Sequence, residues 1–191
     1  MNNYYAPFNF PDYEPVRKRL EEKYKDTFSP DRLGTSLIDW SPMNFPGVYE
    51  YVESKFKERK VSVRRARLFF TPANTKLEAH IDGHTKLHDG APTNMYWALN
   101  LPIIIPTGNH IQEWYHYSGK YIQRYTEKYN ESIEPGDSDL LVSAETLVLD
   151  KPYFVNVGQV HSVTNFSDNP RLILSLRFSS TNVLQFIESL K

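Results

Sequence analysis

From about residue 61 to residue 179 the chain is a succession of short runs rich in Val, Ile, Leu, Phe and Tyr, separated by Pro, Gly, Asn and Asp. Runs of this length, broken this often by turn residues, bury their apolar side chains as an all-β sandwich or barrel and in few other ways. Strands are predicted at about 63–70, 95–104, 113–117, 146–149, 153–157, 160–166 and 172–178. Most of the 13 prolines fall at the ends of these runs, where a residue without an N–H does least damage to a ladder. Three helices are predicted outside them, at about 15–25, 46–58 and 181–190. In the first, Pro15 takes a tolerated first-turn position, and Val16, Leu20 and Tyr24 follow at four-residue spacing. The second carries Val48, Val52 and Phe56 on one stripe. The third has Ser180 or Thr181 as its cap and Val183, Leu184, Ile187 and Leu190 as its buried face. No repeat or low-complexity tract interrupts the pattern, so residues 1–191 read as one domain.

Several function classes drop out on composition. With 22 Lys+Arg against 23 Asp+Glu the net charge is −1, whereas chains that grip nucleic acid normally show a basic excess, so no nucleic-acid partner is expected. The chain has no cysteine, which excludes from it a disulfide framework, a Cys-ligated zinc and a cysteine nucleophile. Its first residues, MNNYYAPFNF, have neither the basic nor the long apolar region of a secretory signal. The longest apolar stretch, 96–105, is broken by Asn100 and Pro102 and is too short to span a bilayer. A cytoplasmic protein with no membrane partner is expected.

The last strand pair is the most readable. Residues 160–166 and 171–178 flank Ser167-Asp168-Asn169-Pro170, which predicts an antiparallel pair joined by a turn. In the second strand Leu172, Leu174, Leu176 and Phe178 share one face, and Arg171, Ile173, Ser175 and Arg177 share the other. Period-two alternation ordinarily turns the polar face to solvent. A barrel around a polar site gives the same pattern with that face inward.

His80-Ile81-Asp82 sets an imidazole and a carboxylate two residues apart, on one face of an extended chain. His161 lies 81 residues further on. Two histidines and one carboxylate on one face of an ion leave positions open, which suits Fe(II) binding a co-substrate and O2 together. Taken alone, His-x-Asp is a motif that six histidines can produce by chance, and a lone strand histidine is more often structural. Arg171 follows His161 by ten residues, which places the two on neighbouring strands. A buried guanidinium there, on the face shared with Ser175 and Arg177, could hold a carboxylate bidentately. Ahead of His80, residues 67–74 read as a strand running into a turn.

In the order and spacing of His80, Asp82, His161 and Arg171, over about residues 61–179, the chain resembles the Fe(II)/2-oxoglutarate-dependent dioxygenases. Within that family it looks most like the aspartyl/asparaginyl β-hydroxylase-like and small phage-type members. The strand and turn before His80, Pro92-Thr93-Asn94 ahead of the next strand, and the position of Arg171 carry that likeness. Unlike the aspartyl/asparaginyl hydroxylases, it keeps a metal-binding carboxylate, Asp82, and it has Ala98 and Asn100 where that group carries Arg and His. The resemblance implies a double-stranded β-helix (a jelly roll, cupin-like) with flanking α-helices near both termini. It implies an oxidoreductase, a dioxygenase acting as a hydroxylase, with iron held by His80, Asp82 and His161. The co-substrates would be 2-oxoglutarate and O2. Arg171 would anchor the far carboxylate of 2-oxoglutarate, with Arg177 on the same face as the alternative and Ser175 or Tyr96 in support. Asn100 and Ser175 read equally as cofactor contacts or as partners of backbone groups. The substrate would be a small molecule, an amino acid or a peptide or protein side chain.

Two other classes fit parts of the pattern. His80, His84 and His88 recur every four residues, so on a helix they would share a face and bind zinc for a hydrolase. That helix would lack the glutamate expected after the first histidine, have Gly83 inside it and stop at Asp89-Gly90. A cupin-like module that binds a ligand without turnover is the third class. Arg64, Arg65 and Arg67 read as a solvated strand edge, or as a contact for an anionic substrate. In 113–129, Tyr117, Tyr121, Tyr125 and Tyr129 have helical spacing and suggest packing against the barrel or an aromatic substrate lid.

Overall fold

The computed structural model of the chain describes residues 3–57, 59–82, 87–88, 91–92, 97–108, 110–125, 131–178 and 182–189. Its first strands are β1 (Tyr5–Pro7), β2 (Gly34–Ile38), β3 (Val63–Thr71), β4 (Thr75–His80), β5 (Leu87–His88), β6 (Ala91–Pro92) and β7 (Trp97–Ile104). There follow β8 (His110–Tyr117), β9 (Tyr121–Tyr125), β10 (Glu131–Pro135), β11 (Leu141–Leu147), β12 (Tyr153–Asn156), β13 (His161–Asn165) and β14 (Arg171–Phe178). The helices are α1 (Tyr13–Tyr24), α2 (Val48–Lys57) and α3 (Asn182–Ser189).

Two antiparallel sheets face each other, ordered β1-β12-β7-β14-β3-β2 and β11-β8-β13-β4. Along the core strands β3, β4, β7, β8, β11, β12, β13 and β14 the chain changes sheet at each step except from β8 to β11, which are neighbours. The hairpin β9–β10 is inserted there. This winding is the double-stranded β-helix, or jelly roll, that the resemblance implied.

Alternation along each strand assigns its two faces. On the larger sheet Leu172, Leu174 and Leu176 of β14, Leu68 of β3, Leu99 and Leu101 of β7 and Phe154 of β12 point outward into one apolar cluster. The stripes Val16, Leu20, Tyr24 of α1 and Val48, Val52, Phe56 of α2 complete it, as predicted. Each fully buried side chain of this kind contributes about 1.5–3 kcal/mol. In α3 the buried residues are Val183, Phe186 and Ile187, with Leu184 only half-buried against the cluster. Phe186, three residues after Val183, takes the buried place predicted for Leu184, and the predicted cap and Leu190 lie outside the described residues. The opposite face of the larger sheet, with Arg171, Ile173, Ser175 and Arg177, turns toward the smaller sheet. The polar half of the alternation therefore points inward.

The antiparallel pairing of 160–166 with 171–178 is corrected by the register. β13 pairs with β4 and β8, while β14 pairs with β3 and β7, so the turn between them crosses from one sheet to the other. Asn165 fixes this corner: its Nδ2 donates to the Pro72 and Asn169 carbonyls, both at 2.9 Å. With the corner at one end of the barrel, His161 and Arg171 lie on strands of opposing sheets, not on neighbouring strands.

Other expectations shift in detail. β1, β2, β4, β5, β6, β9 and β10 lie where no strand is predicted. The tyrosines 117–125 belong to strands, so their helical spacing has no structural meaning; Tyr129 lies outside the described residues. Among the described residues no helix is long and apolar enough to cross a membrane.

Candidate metal centre

His80, Asp82 and His161 each offer one ligand atom, and these atoms all lie within 4.8 Å of one another. The strand pairing brings this about. His161 opposes His80 and Val163 opposes Leu77, so β4 advances three residues where β13 advances two. That irregularity works as a β-bulge and re-aims the strand. Without it, strict alternation from the cavity-lining Leu77 would send Ala79 inward in place of His80. The next residue, Ile81, is buried with Val160 in a small apolar cluster, and the Asp82 N–H donates to the Val157 carbonyl at 3.0 Å. The Asp82 carboxylate is thereby held beside the two rings, whose centroids are 4.6 Å apart.

Hydrogen bonds fix which ring nitrogens are free. The Nδ1 atom of His80 lies 2.7 Å from the Glu78 carbonyl, and Nδ1 of His161 lies 2.9 Å from the Gln159 carbonyl. A carbonyl can only accept, so each Nδ1 carries the proton and each Nε2 is left to bind a metal. Burial, together with the neighbouring His80, pushes the His161 pKa down to about 4, so this ring is neutral at pH 7. Burial opposes the charge on His80 too, but Asp82, with Oδ1 3.4 Å from Nε2, outweighs it and raises the pKa. For Asp82 burial acts upward, and the guanidinium of Arg177 and the two imidazoles overcome it, holding the carboxyl far below the usual carboxylate range. Arg177 Nη2 donates to Asp82 Oδ2 at 2.6 Å. Arg177, the alternative anchor, is thus engaged at the carboxylate, although its buried Nη1 has no partner among the described residues.

These groups open onto a cavity of about 510 Å3 between the sheets, a usual size for a small-molecule site. Arg171 lines it from the other end of β14, next to the corner. Arg171 is 5% exposed, and burial alone pushes its pKa down to about 9. Among the described residues nothing hydrogen-bonds to it or pairs with its charge. Ser175 and Asn100, opposite each other on β14 and β7, also line the cavity, and the buried Ser175 Oγ and Asn100 Oδ1 have no partner among the described residues. Of the cofactor contacts named from sequence, the fold thus brings Arg171, Ser175, Asn100 and Arg177 to one cavity; Tyr96 lies outside the described residues.

Sequence reasoning missed Gln112 and Thr71, both buried and lining the same cavity. Gln112 fell just before the predicted 113–117 strand; counting back two residues from the fully buried Trp114 finds it. The zinc alternative loses its scaffold, since His80 ends a strand and no helix carries it. His84 lies outside the described residues.

No protein-family profile matches the sequence, and no curated protein matches it significantly. Solved structures do. The viral collagen prolyl hydroxylase of Paramecium bursaria Chlorella virus-1, solved as a 2OG complex, is 10% identical with a TM-score of 0.54, over 93% of this chain and 96% of that one. A Pseudomonas putida prolyl-4-hydroxylase is 13% identical with a TM-score of 0.50, over 91% and 90%. The non-heme alpha-ketoglutarate-dependent carbocyclase SnoK from nogalamycin biosynthesis is 11% identical with a TM-score of 0.52, over 91% and 78%. At such identities the likeness is one of fold, and the fold this chain shares with them is the double-stranded β-helix.

Proposed function

We propose that this chain is an Fe(II)- and 2-oxoglutarate-dependent oxygenase that hydroxylates a small molecule, an amino acid or a peptide side chain. One observation carries the reading: a single cavity has a His-Asp-His ligand cluster at one end and, at the other, a buried guanidinium with no counter-charge among the described residues. The residues fit the groups they would hold. Two neutral-capable imidazoles and one ionised carboxylate form the donor set of a facial iron site with open positions. The Arg171 guanidinium, Asn100 Oδ1 and Ser175 Oγ face the cavity and have no partner among the described residues, and a dicarboxylate co-substrate supplies what they need. The solved structures named above are hydroxylases and a carbocyclase, two of them described with 2-oxoglutarate or a dependence on it, which supports the same reading.

In this reading His80 and His161 hold the metal through Nε2 and Asp82 through its carboxylate. Arg177 keeps Asp82 ionised and fixes its orientation. Arg171 receives the distal carboxylate of 2-oxoglutarate as a charge-assisted pair. The apolar wall of Leu77, Val163 and Ile173 excludes water from the space between. When bound, the metal with 2-oxoglutarate and O2 supplies the oxidation, one oxygen atom entering the substrate and the other entering succinate as CO2 leaves.

The test is succinate formation from 2-oxoglutarate by the metal-loaded chain, with and without candidate substrates. Turnover that requires Fe(II) and disappears in His161→Ala supports the proposal. Hydrolysis of a panel compound with Zn(II), with no succinate formed under Fe(II), overturns it in favour of a hydrolase, and 2-oxoglutarate binding with neither reaction across the panel makes the chain a binding module.

A further inference from the structure

We propose that Gln112 is a co-substrate contact: its side-chain amide donates to the 1-carboxylate of 2-oxoglutarate, the end of that molecule next to the metal ligands. The inference rests on the oxygenase reading for the identity of the ligand. The residue itself is assigned by its surroundings.

Gln112 is 2% exposed and lines the cavity. Val163 opposes it on β13 and Leu147 opposes it on β11, and neither side chain offers a hydrogen bond. Two residues before and after it on β8 stand His110 and Trp114. Nδ1 of His110 faces the Gly108 carbonyl at 3.3 Å, and Nε1 of Trp114 donates to the Asn156 carbonyl at 2.8 Å. Between these two satisfied groups, the Gln112 amide has no hydrogen bond to any described residue. An amide carries two N–H donors and one carbonyl, and burying it unpaired costs free energy that an apolar side chain of similar size would not. The cavity is the polar space it faces.

Register gives the level at which Gln112 meets that space. On β8 and β13 the pair Trp114–His161 stands at the metal ligands, the pair Gln112–Val163 comes next, and the pair His110–Asn165 lies at the corner. Arg171 lines the cavity beside that corner, so a ligand reaching from the metal ligands to Arg171 passes Gln112. When a 2-oxo acid chelates a metal through its 2-oxo group and one oxygen of the 1-carboxylate, the second oxygen of that carboxylate keeps its lone pairs. Here it would lie near a wall of Leu77, Val163 and Ile173, where an anionic oxygen without a donor is costly. A neutral amide N–H satisfies it without bringing a further charge into the cavity.

Gln112→Leu and Gln112→Met are compared with the unaltered chain. In ligand-free protein the melting temperature should hold or rise, because an apolar side chain replaces an unpaired amide. Calorimetric titration of 2-oxoglutarate into Ni(II)-loaded protein should show affinity about tenfold or more weaker in both variants. The visible absorption band of the anaerobic Fe(II)–2-oxoglutarate complex should shift, since the amide acts on the chelating group. A lower melting temperature in both variants marks an amide that supports the fold and overturns the proposal. Weaker binding with an unshifted band moves Gln112 to the far carboxylate and overturns it too. If the unaltered chain binds no 2-oxoglutarate in the presence of Ni(II), the oxygenase reading fails and takes this inference with it. If it binds and both variants bind equally well, this inference fails alone.

Discussion

Arg171→Met separates an anchoring arginine from a structural one, because the two roles give effects of opposite sign on stability. Arg171 is 5% exposed and has no counter-charge among the described residues, and burial depresses its pKa to about 9. A shift of that size reflects several kcal/mol against the bare charge. Methionine keeps the length and removes the charge, so the ligand-free chain should become more stable, by about 1–3 kcal/mol on the precedent of buried ions replaced by apolar side chains. A structural arginine with satisfied partners would lose stability instead. Binding of 2-oxoglutarate should move the other way. A bidentate pair of charged hydrogen bonds, each worth about 1.5–3 kcal/mol, gives a loss of roughly 3–6 kcal/mol, or a dissociation constant raised about 150- to 25,000-fold. Urea unfolding measures the first quantity, and calorimetric titration of 2-oxoglutarate into the Ni(II)-loaded chain measures the second. A destabilised variant with unchanged affinity would refute the reasoning on both counts.

Arg177→Met should act at the opposite end, because it strips Asp82 of the cation 2.6 Å away. Divalent-metal affinity should fall about 10- to 100-fold and Arg177→Lys should recover part of it; competition with a chromophoric chelator reads this, and unchanged affinity sinks the role given to Arg177. His110 supplies a pH test away from the metal ligands. It is 3% exposed, its Nδ1 faces the Gly108 carbonyl at 3.3 Å, and burial and Arg171 push its pKa below 6.5, against a smaller upward effect of Asp150. Between that lowered value and pH 6.5 the unfolded chain binds more protons than the folded one, so this stability is present above pH 6.5 and is lost on acidification. His161 acts in the same direction and His80 in the opposite one, so the measurement is the difference between the chain and His110→Gln in melting temperature from pH 7.5 to 5. The variant should lose less; parallel curves would show that His110 is not held neutral.

The chemistry-bearing residues were legible because their spacing is set by the winding of the barrel. His80 and Asp82 sit together on one approach, and His161 and Arg171 straddle one corner. Parity along β14 grouped Arg171, Ser175 and Arg177 on one face, but it left open whether that face turned inward. What parity could not give was pairing. The short Ser167–Pro170 linkage fits a hairpin as well as a sheet-crossing corner, and the difference lies in Asn165 bonding to carbonyls on the β3–β4 turn, a contact across 93 residues. The bulge that aims His80 is similarly non-local, since it exists only in the register of β4 against β13. β1 and β2 were missed because three and five residues of half-buried, mixed composition carry little alternation, and their existence depends on the sheet edges they join.

The main-chain carbonyls at Glu78 and Gln159 have a consequence for how the centre can change over time. Each imidazole is oriented by an acceptor two positions earlier on its own segment, and every amino acid provides that acceptor. Replacement of the side chain at either position leaves the protonated nitrogen where it is and the coordinating lone pair aimed inward. The donor geometry is therefore insulated from drift in the surrounding side chains.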